Sequence, residues 1–234
     1  MSASPLSVRM TWHDLLFLHW RVPAERLRAL VPAPLEIETF DGSAWIGVVP
    51  FRMSRVGAGL LAAIPKVSAF PELNVRTYVR HAGRGGVWFF SLDAADPLAV
   101  RVARRFFHLP YYDARMSCRA RREGWTEYAS TRVHRGAPAA TLRARYRPTG
   151  DPAPAAPGSL ERFLTDRLSL FAIDPVGRVW RGDVAHAPWP LQEAEVEIAE
   201  NRMTAPLGIP LEDAPHARFA RLLEVTASPL APSA

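Results

Sequence analysis

The run from Glu72 to Arg80 (ELNVRTYVR) alternates without a break. Leu73, Val75, Thr77 and Val79 point one way, and Glu72, Asn74, Arg76, Tyr78 and Arg80 the other. A period of two marks a strand, because successive side chains leave opposite faces of a sheet. The apolar row needs cover from helices or from another sheet layer. The polar row has two solutions. On an outer sheet face it is solvated; inside a closed sheet it becomes a cavity wall, with Glu72 as a carboxylate available for proton transfer. We expect the second.

The rest of the chain offers more short strands and few helices. Met10–Arg21 reads as a strand with Trp12, Leu16, Leu18 and Trp20 on one side and His13, His19 and Arg21 on the other. Pro23–Val31 is a short helix stopped by Pro32, and Leu35–Phe40 and Ala44–Arg52 are strands joined at Asp41-Gly42. His81–Gly86 turns into the strand Val87–Leu92. Asp96 and Pro97 then open a helix, with an oxygen to accept free N–H groups and a first residue that needs none. Its apolar face is Leu98, Ala99, Val102, Ala103 and Phe106. Pro110 ends it, since the residue before a proline disfavours the helical region, and Tyr111 and Tyr112 begin a strand.

Further strands are expected at Arg115–Arg122, Thr126–His134, Thr141–Arg147, Leu168–Ile173, Gly177–His186, Glu193–Ala199 and His216–Thr226, with a short helix capped by Ser159. Ser54–Phe70 and Pro148–Pro157 read as loops, and Ser228–Ala234 as a frayed tail. This pattern implies an α+β fold on an antiparallel sheet or barrel. No repeat or compositional break divides residues 1–234, so a single domain is expected.

Composition narrows the partners. A net charge of +6 invites nucleic acid, but Lys66 is the only lysine, and the arginines are scattered among acids rather than striped with aromatics. Nucleic acid is therefore not expected. Neither is a membrane partner, as no apolar run approaches the roughly 18 residues of a spanning helix. The absence of a secretory signal and the single Cys118 fit a cytoplasmic protein without disulfides. The seven histidines form no metal-ligand motif, there is no GxSxG elbow, and no cofactor or metal is expected. A small molecule is the expected partner; assembly into a homo-oligomer stays open.

Several stretches resemble acetoacetate decarboxylases. RVPAERLRALVPAPL (Arg21–Leu35) is similar to their N-terminal segment, DAADPLAVRVARRFFHLPYYDARM (Asp93–Met116) to their central helix and strand, and RMTAPLGIP (Arg202–Pro210) to a later segment. The motifs FLHWRVP, FDGSAWIGVVPFRM, FPELNVRTYVR, HLPYYDARM and HAPWPLQEAEV resemble the YqjF-like family of uncharacterised bacterial proteins within that superfamily. The resemblance implies a cone-shaped antiparallel β-barrel with a few flanking helices and an internal pocket. It also implies an active-site role for Arg21 and Glu72. In the decarboxylases a Pro-Lys-Lys motif supplies a Schiff-base lysine. Here the corresponding residues are Pro110, Tyr111 and Tyr112, and the second active-site acid falls near Ile46.

A phenol forms no imine, but it donates a proton or holds an oxyanion. The resulting expectation is a pocket in which Glu72, Tyr111 and Tyr112 are catalytic. Arg21, His19, Asn74, Arg76 and His186 bind the ligand. The reaction would be cofactor-independent acid–base chemistry on an oxo-acid or related carbonyl compound, by a lyase, isomerase or hydrolase. The alternative is a non-catalytic small-molecule-binding protein. Lys66, in a loop before Glu72, is not expected to replace the missing nucleophile.

Overall fold

A computed structural model of the chain describes residues 7–58 and 69–233. Lys66 and most of the expected Ser54–Phe70 loop lie outside the described residues. The first elements are β1 (Val8–Val22), α1 (Ala24–Arg28), β2 (Glu36–Ile37), β3 (Ala44–Ala58), β4 (Phe70–His81) and β5 (Arg84–Ala94). There follow α2 (Pro97–Phe107), β6 (Tyr111–Ala120), β7 (Thr126–Arg132), β8 (Thr141–Ala153) and α3 (Leu160–Thr165). The last are β9 (Ser169–Ile173), β10 (Val179–His186), β11 (Leu191–Asn201), β12 (His216–Ala227) and β13 (Ala231–Pro232).

Among the described residues, hydrogen bonds join 13 strands into one sheet that closes on itself. Two strands make the closure possible by changing partner along one edge. β5 meets β9 at Val87 and Trp88, then β6 at Leu92, Asp93 and Ala94. β12 meets β11 at Arg218 and Phe219, then β10 from Val225 to Ala227. The strands β12, β1, β3, β4 and β5 therefore form a common wall. On one side β6, β7, β8 and β11 complete a circuit; on the other β9 and β10 complete a second.

Each face of the common wall feeds its own core. Leu16, Leu18, Leu73 and Val75 pack with Tyr128 and Tyr146 on one side. Phe17, Phe51, Phe70 and Leu223 gather with Trp189 on the other. The cover over the apolar row of β4 is thus another part of the sheet, not a helix. Burial on both faces explains why β1, β3 and β4 carry so many apolar residues in succession.

Several expectations need correction. Asp14 adopts a left-handed conformation (φ 51) where β1 gains one residue relative to β3. Such a bulge moves side chains to the other face. Trp12 therefore joins Leu15 and Phe17, not Leu16, Leu18 and Trp20. The Asp41-Gly42 turn forms (φ 48 and 75), bridging Phe40 and Ser43, yet β2 pairs with β4. Both edges of β3 are occupied by β1 and β4, and β2 continues the edge of β4 beyond the point where β3 leaves it.

Pro148 lies inside β8 opposite Ala194, because β7 pairs β8 only as far as Tyr146 and the missing N–H then faces an open edge. The tail is not frayed. Ala231 and Pro232 pair with β10, and the Ser228 hydroxyl donates to the Asp183 carbonyl.

α2 is capped as expected, the Asp96 carboxylate accepting from the N–H groups of Leu98 and Ala99. Its buried face, however, runs through Val100, while Leu98 remains 64% exposed. The helix crosses from β5 to its parallel neighbour β6 and delivers Tyr111 beside Leu92. His108 ends it in a left-handed conformation, and the Leu92 N–H donates to the Pro110 carbonyl at 3.0 Å.

Candidate active site

Among the described residues, the second core leaves space between its side chains. It encloses a cavity of about 380 Å³, within the range of small-molecule sites. Its walls are largely apolar, with several aromatic rings among them. Trp12 stacks on Trp189 at 5.8 Å, and Trp189 meets Phe17 edge-on at 5.0 Å. Ala99, Val102 and Phe107 of α2 lie along it, and the end of α3 closes it opposite. There the Trp189 indole donates to the Thr165 carbonyl at 2.9 Å, and Arg76 donates to the Leu164 carbonyl at 3.1 Å.

Five expected site residues line this cavity: Glu72, Asn74 and Arg76 from β4, Tyr111 from β6 and His186 from β10. The Tyr111 hydroxyl donates to Glu72 Oε2 at 3.0 Å. Glu72 is 3% exposed. Removal from water penalises its charged form, so its pKa rises from 4.5 to about 8; the Tyr111 hydrogen bond pulls the other way and the Asp93 charge adds to the rise. Burial, then the neighbouring Glu72, holds the Tyr111 phenol well above its ordinary value. Glu72 is therefore a neutral acid near pH 7, poised close to working pH, and Tyr111 a permanent donor. From the other core, the Tyr128 hydroxyl donates to the Glu72 carbonyl at 2.7 Å and fixes the backbone beneath the carboxyl. His186 packs on Trp189 at 5.1 Å, its Nδ1 bonded to the Ala187 carbonyl.

Three expected site residues lie elsewhere. Tyr112 follows Tyr111 directly, so strand alternation sends it to the opposite face. Its ring lies 4.2 Å from the Arg132 guanidinium and 5.6 Å from that of Arg104. His19 is buried beside the cavity end, its Nε2 2.6 Å from the Tyr78 hydroxyl, which donates to the Leu164 carbonyl. Burial, then Arg76, push its pKa well below 6.5, so the ring is neutral. Gly47 makes room for it: a Cβ there would stand 3.0 Å from the ring.

Arg21 is the largest departure. Along the same face of β1, Phe17 reaches the cavity, His19 is buried, and Arg21 emerges into solvent over Trp45 at 5.3 Å. Trp45 packs with Leu164 of α3, so the arginine lies past the residues that close the cavity.

Sequence reasoning missed Trp12, Trp189 and Arg167 as cavity residues. The bulge at Asp14 hid the first. Nothing local marks the other two, which only the closure of β9 and β10 over the common wall brings in. Among the described residues, no group of three or more His, Cys, Asp or Glu side chains is placed to hold a metal. Burial raises the Cys118 thiol pKa to about 11, which removes it as a nucleophile at neutral pH.

Residues 9–224 match the DUF2071 family, described as "Uncharacterized conserved protein (COG2071)". The chain belongs to this family. The uncharacterized protein YqjF of Bacillus subtilis (strain 168) is 43% identical over 224 residues, spanning 95% of this chain and 91% of that one. Among solved structures, the enduracididine biosynthesis enzyme MppR complexed with pyruvate superposes with a TM-score of 0.69 at 12% identity, covering 99% of this chain and 91% of that one. An acetoacetate decarboxylase-like enzyme from Sphingomonas wittichii RW1 gives 0.66 at 16% identity, with coverage of 99% and 94%. The fold of this DUF2071 member is thus acetoacetate decarboxylase-like, mostly sheet with few helices. Among the described residues, no helix is long and apolar enough to cross a membrane.

Proposed function

We propose that this protein is a cofactor-independent enzyme, of the lyase, isomerase or hydrolase type, acting on an oxo-acid or related carbonyl compound in the cavity. The observation that carries the reading is the Glu72–Tyr111 pair: a carboxyl raised to about pH 8, bonded to a phenol, in an apolar enclosure. Neutral Glu72 gives its proton to the carbonyl oxygen or to the carbon of an enol. The carboxylate left behind takes a proton from the substrate, so none is gained or lost over a cycle. Tyr111 steadies the carboxyl, and its high pKa keeps it a donor throughout. No imine forms at the Tyr111–Tyr112 position, because neither side chain offers an amine. MppR holds pyruvate, itself an oxo-acid, on a related fold, which supports the ligand class.

Exchange of substrate C–H for deuterium tests this reading. Pyruvate, acetoacetate and longer methyl-ketone acids are incubated with the protein in D2O and followed by NMR. Wild type should accelerate exchange beside the carbonyl, and Glu72→Gln should lower that acceleration about 10²- to 10⁴-fold. Equal rates in the two proteins would remove Glu72 from the chemistry. A second reading, binding without reaction, is favoured by the exposure of Arg21 and by tyrosine at position 111. It predicts ligand binding with no exchange in wild type.

A further inference from the structure

Among the described residues, four charged side chains of the acidic and arginine types line the cavity: Glu72, Arg76, Arg167 and Asp183. Three have their charge answered or suppressed. Arg167 pairs with Glu38 at 2.6 Å. Asp183 pairs with Arg181 at 3.1 Å and accepts from the Ser169 hydroxyl. Glu72 is neutral below about pH 8. Arg76 differs. Its contacts are the Leu164 carbonyl, the neutral Tyr78 hydroxyl and the rings of Phe17 and Tyr78, at 5.7 and 5.8 Å. Its Nε is buried with no partner, and no acidic side chain among the described residues pairs with it. Residues 1–6, 59–68 and 234 contain no Asp or Glu. Arg76 is half-buried, and a cation at the wall of an apolar cavity without a counter-ion favours the arrival of an anion. Beside it, Asn74 Oδ1 is also buried and unpartnered, an acceptor that calls for a ligand N–H or O–H.

Spacing sets the ligand's shape. Glu72, Asn74 and Arg76 occupy alternate positions on one face of β4. At about 3.3 Å per residue, the backbone positions of Glu72 and Arg76 lie about 13 Å apart. Acetoacetate, whose carboxylate and carbonyl are separated by one carbon, is short against that separation unless the two side chains converge. Phe17, Phe51 and other apolar side chains line the same cavity.

We infer that Arg76 is the anion subsite of this cavity, and that the site takes a monocarboxylate with an extended apolar body. The carboxylate lies at Arg76 and the far end of the ligand reaches Glu72 and Tyr111. The inference rests on reading the cavity as a ligand site, and it replaces Arg21 in the carboxylate-binding role.

Calorimetric titration with octanoate, octanol, acetate and acetoacetate tests it. Wild type should bind octanoate in preference to octanol of the same length, and bind acetate and acetoacetate far more weakly. Arg76→Gln should weaken octanoate about 10- to 100-fold, the loss of a charged hydrogen-bonded contact, and leave octanol unchanged. Arg76→Lys keeps the charge and should keep the preference, which guards against misfolding of the glutamine variant. Equal wild-type affinity for octanol and octanoate would overturn the inference. So would tight binding of acetoacetate, or octanoate affinity unchanged in Arg76→Gln. These measurements involve no turnover. They can fail while Glu72-dependent exchange persists, and succeed where that exchange is absent.

Discussion

Two carboxylates lie back to back in the common wall and show what a partner does to a buried charge. Leu73 pairs with Asp93 and Glu72 with Ala94 across adjacent strands, so the two acids leave opposite faces of the sheet. Asp93 is fully buried and held by Arg132 through both carboxylate oxygens, at 2.7 to 3.1 Å, with Tyr112 stacked on the guanidinium. Glu72 is buried almost as deeply but has only the Tyr111 hydroxyl and a cavity. One face answers an acid with a fixed cation and gains structure. The other leaves an acid protonated in an open space, an arrangement suited to moving a proton.

The largest expected effect follows from Glu72. Its pKa in the folded protein is raised, so the stability it confers is fully present below its unfolded value of about 4.5. That stability is lost as pH climbs through about 8. At 1.36 kcal/mol per pH unit, the loss is up to about 5 kcal/mol. Urea unfolding from pH 5 to pH 9 should show wild type losing stability steeply. Glu72→Gln should remove most of that slope. A slope unchanged in the variant would mean that Glu72 ionises normally and that the contrast with Asp93 is empty.

The Asp93–Arg132 pair gives the next effect. Arg132→Met leaves Asp93 buried without its cation and should cost about 3–5 kcal/mol. Adding Asp93→Asn should recover part of it, since the uncompensated charge is then gone. The Glu72 slope should survive in both backgrounds. Its disappearance would show that the two faces act as one unit.

The sequence made the inner face legible through a single device, the alternation of Glu72, Asn74 and Arg76 opposite Leu73 and Val75. That pattern needs no long-range information. The Asp96 cap, Pro97 and Pro110 likewise placed Tyr111 at a strand start by local chemistry alone. What failed depended on closure. The extra residue at Asp14 is invisible to a period count, and it moved Trp12 across the sheet. Arg21 shares a face with Phe17, but how far along a strand the cavity extends is set by α3, which is remote in sequence. Arg132 carried no mark that set it apart from the other arginines, because its partner lies 39 residues away.

Tyr111 and Tyr112 provide the finest test, because they are neighbours with the same side chain on opposite faces. Tyr111→Phe removes the one side-chain hydrogen bond that favours the Glu72 carboxylate. Glu72 should then ionise at still higher pH, by about one to two pH units if the bond to a charged acceptor contributes about 1.5–3 kcal/mol. Tyr112→Phe keeps the ring against Arg132 and Arg104 and removes only a hydroxyl on the other face. It should leave the Glu72 transition in place and change stability by less than about 0.5 kcal/mol. The carboxyl stretch of Glu72, followed by infrared difference spectroscopy against Glu72→Gln, reads the transition directly in each variant. An upward displacement in Tyr111→Phe alone assigns the phenol that serves the carboxyl. Equal displacement in both would mean that the effect passes through the backbone of β6, and that the two faces are coupled at the turn after α2.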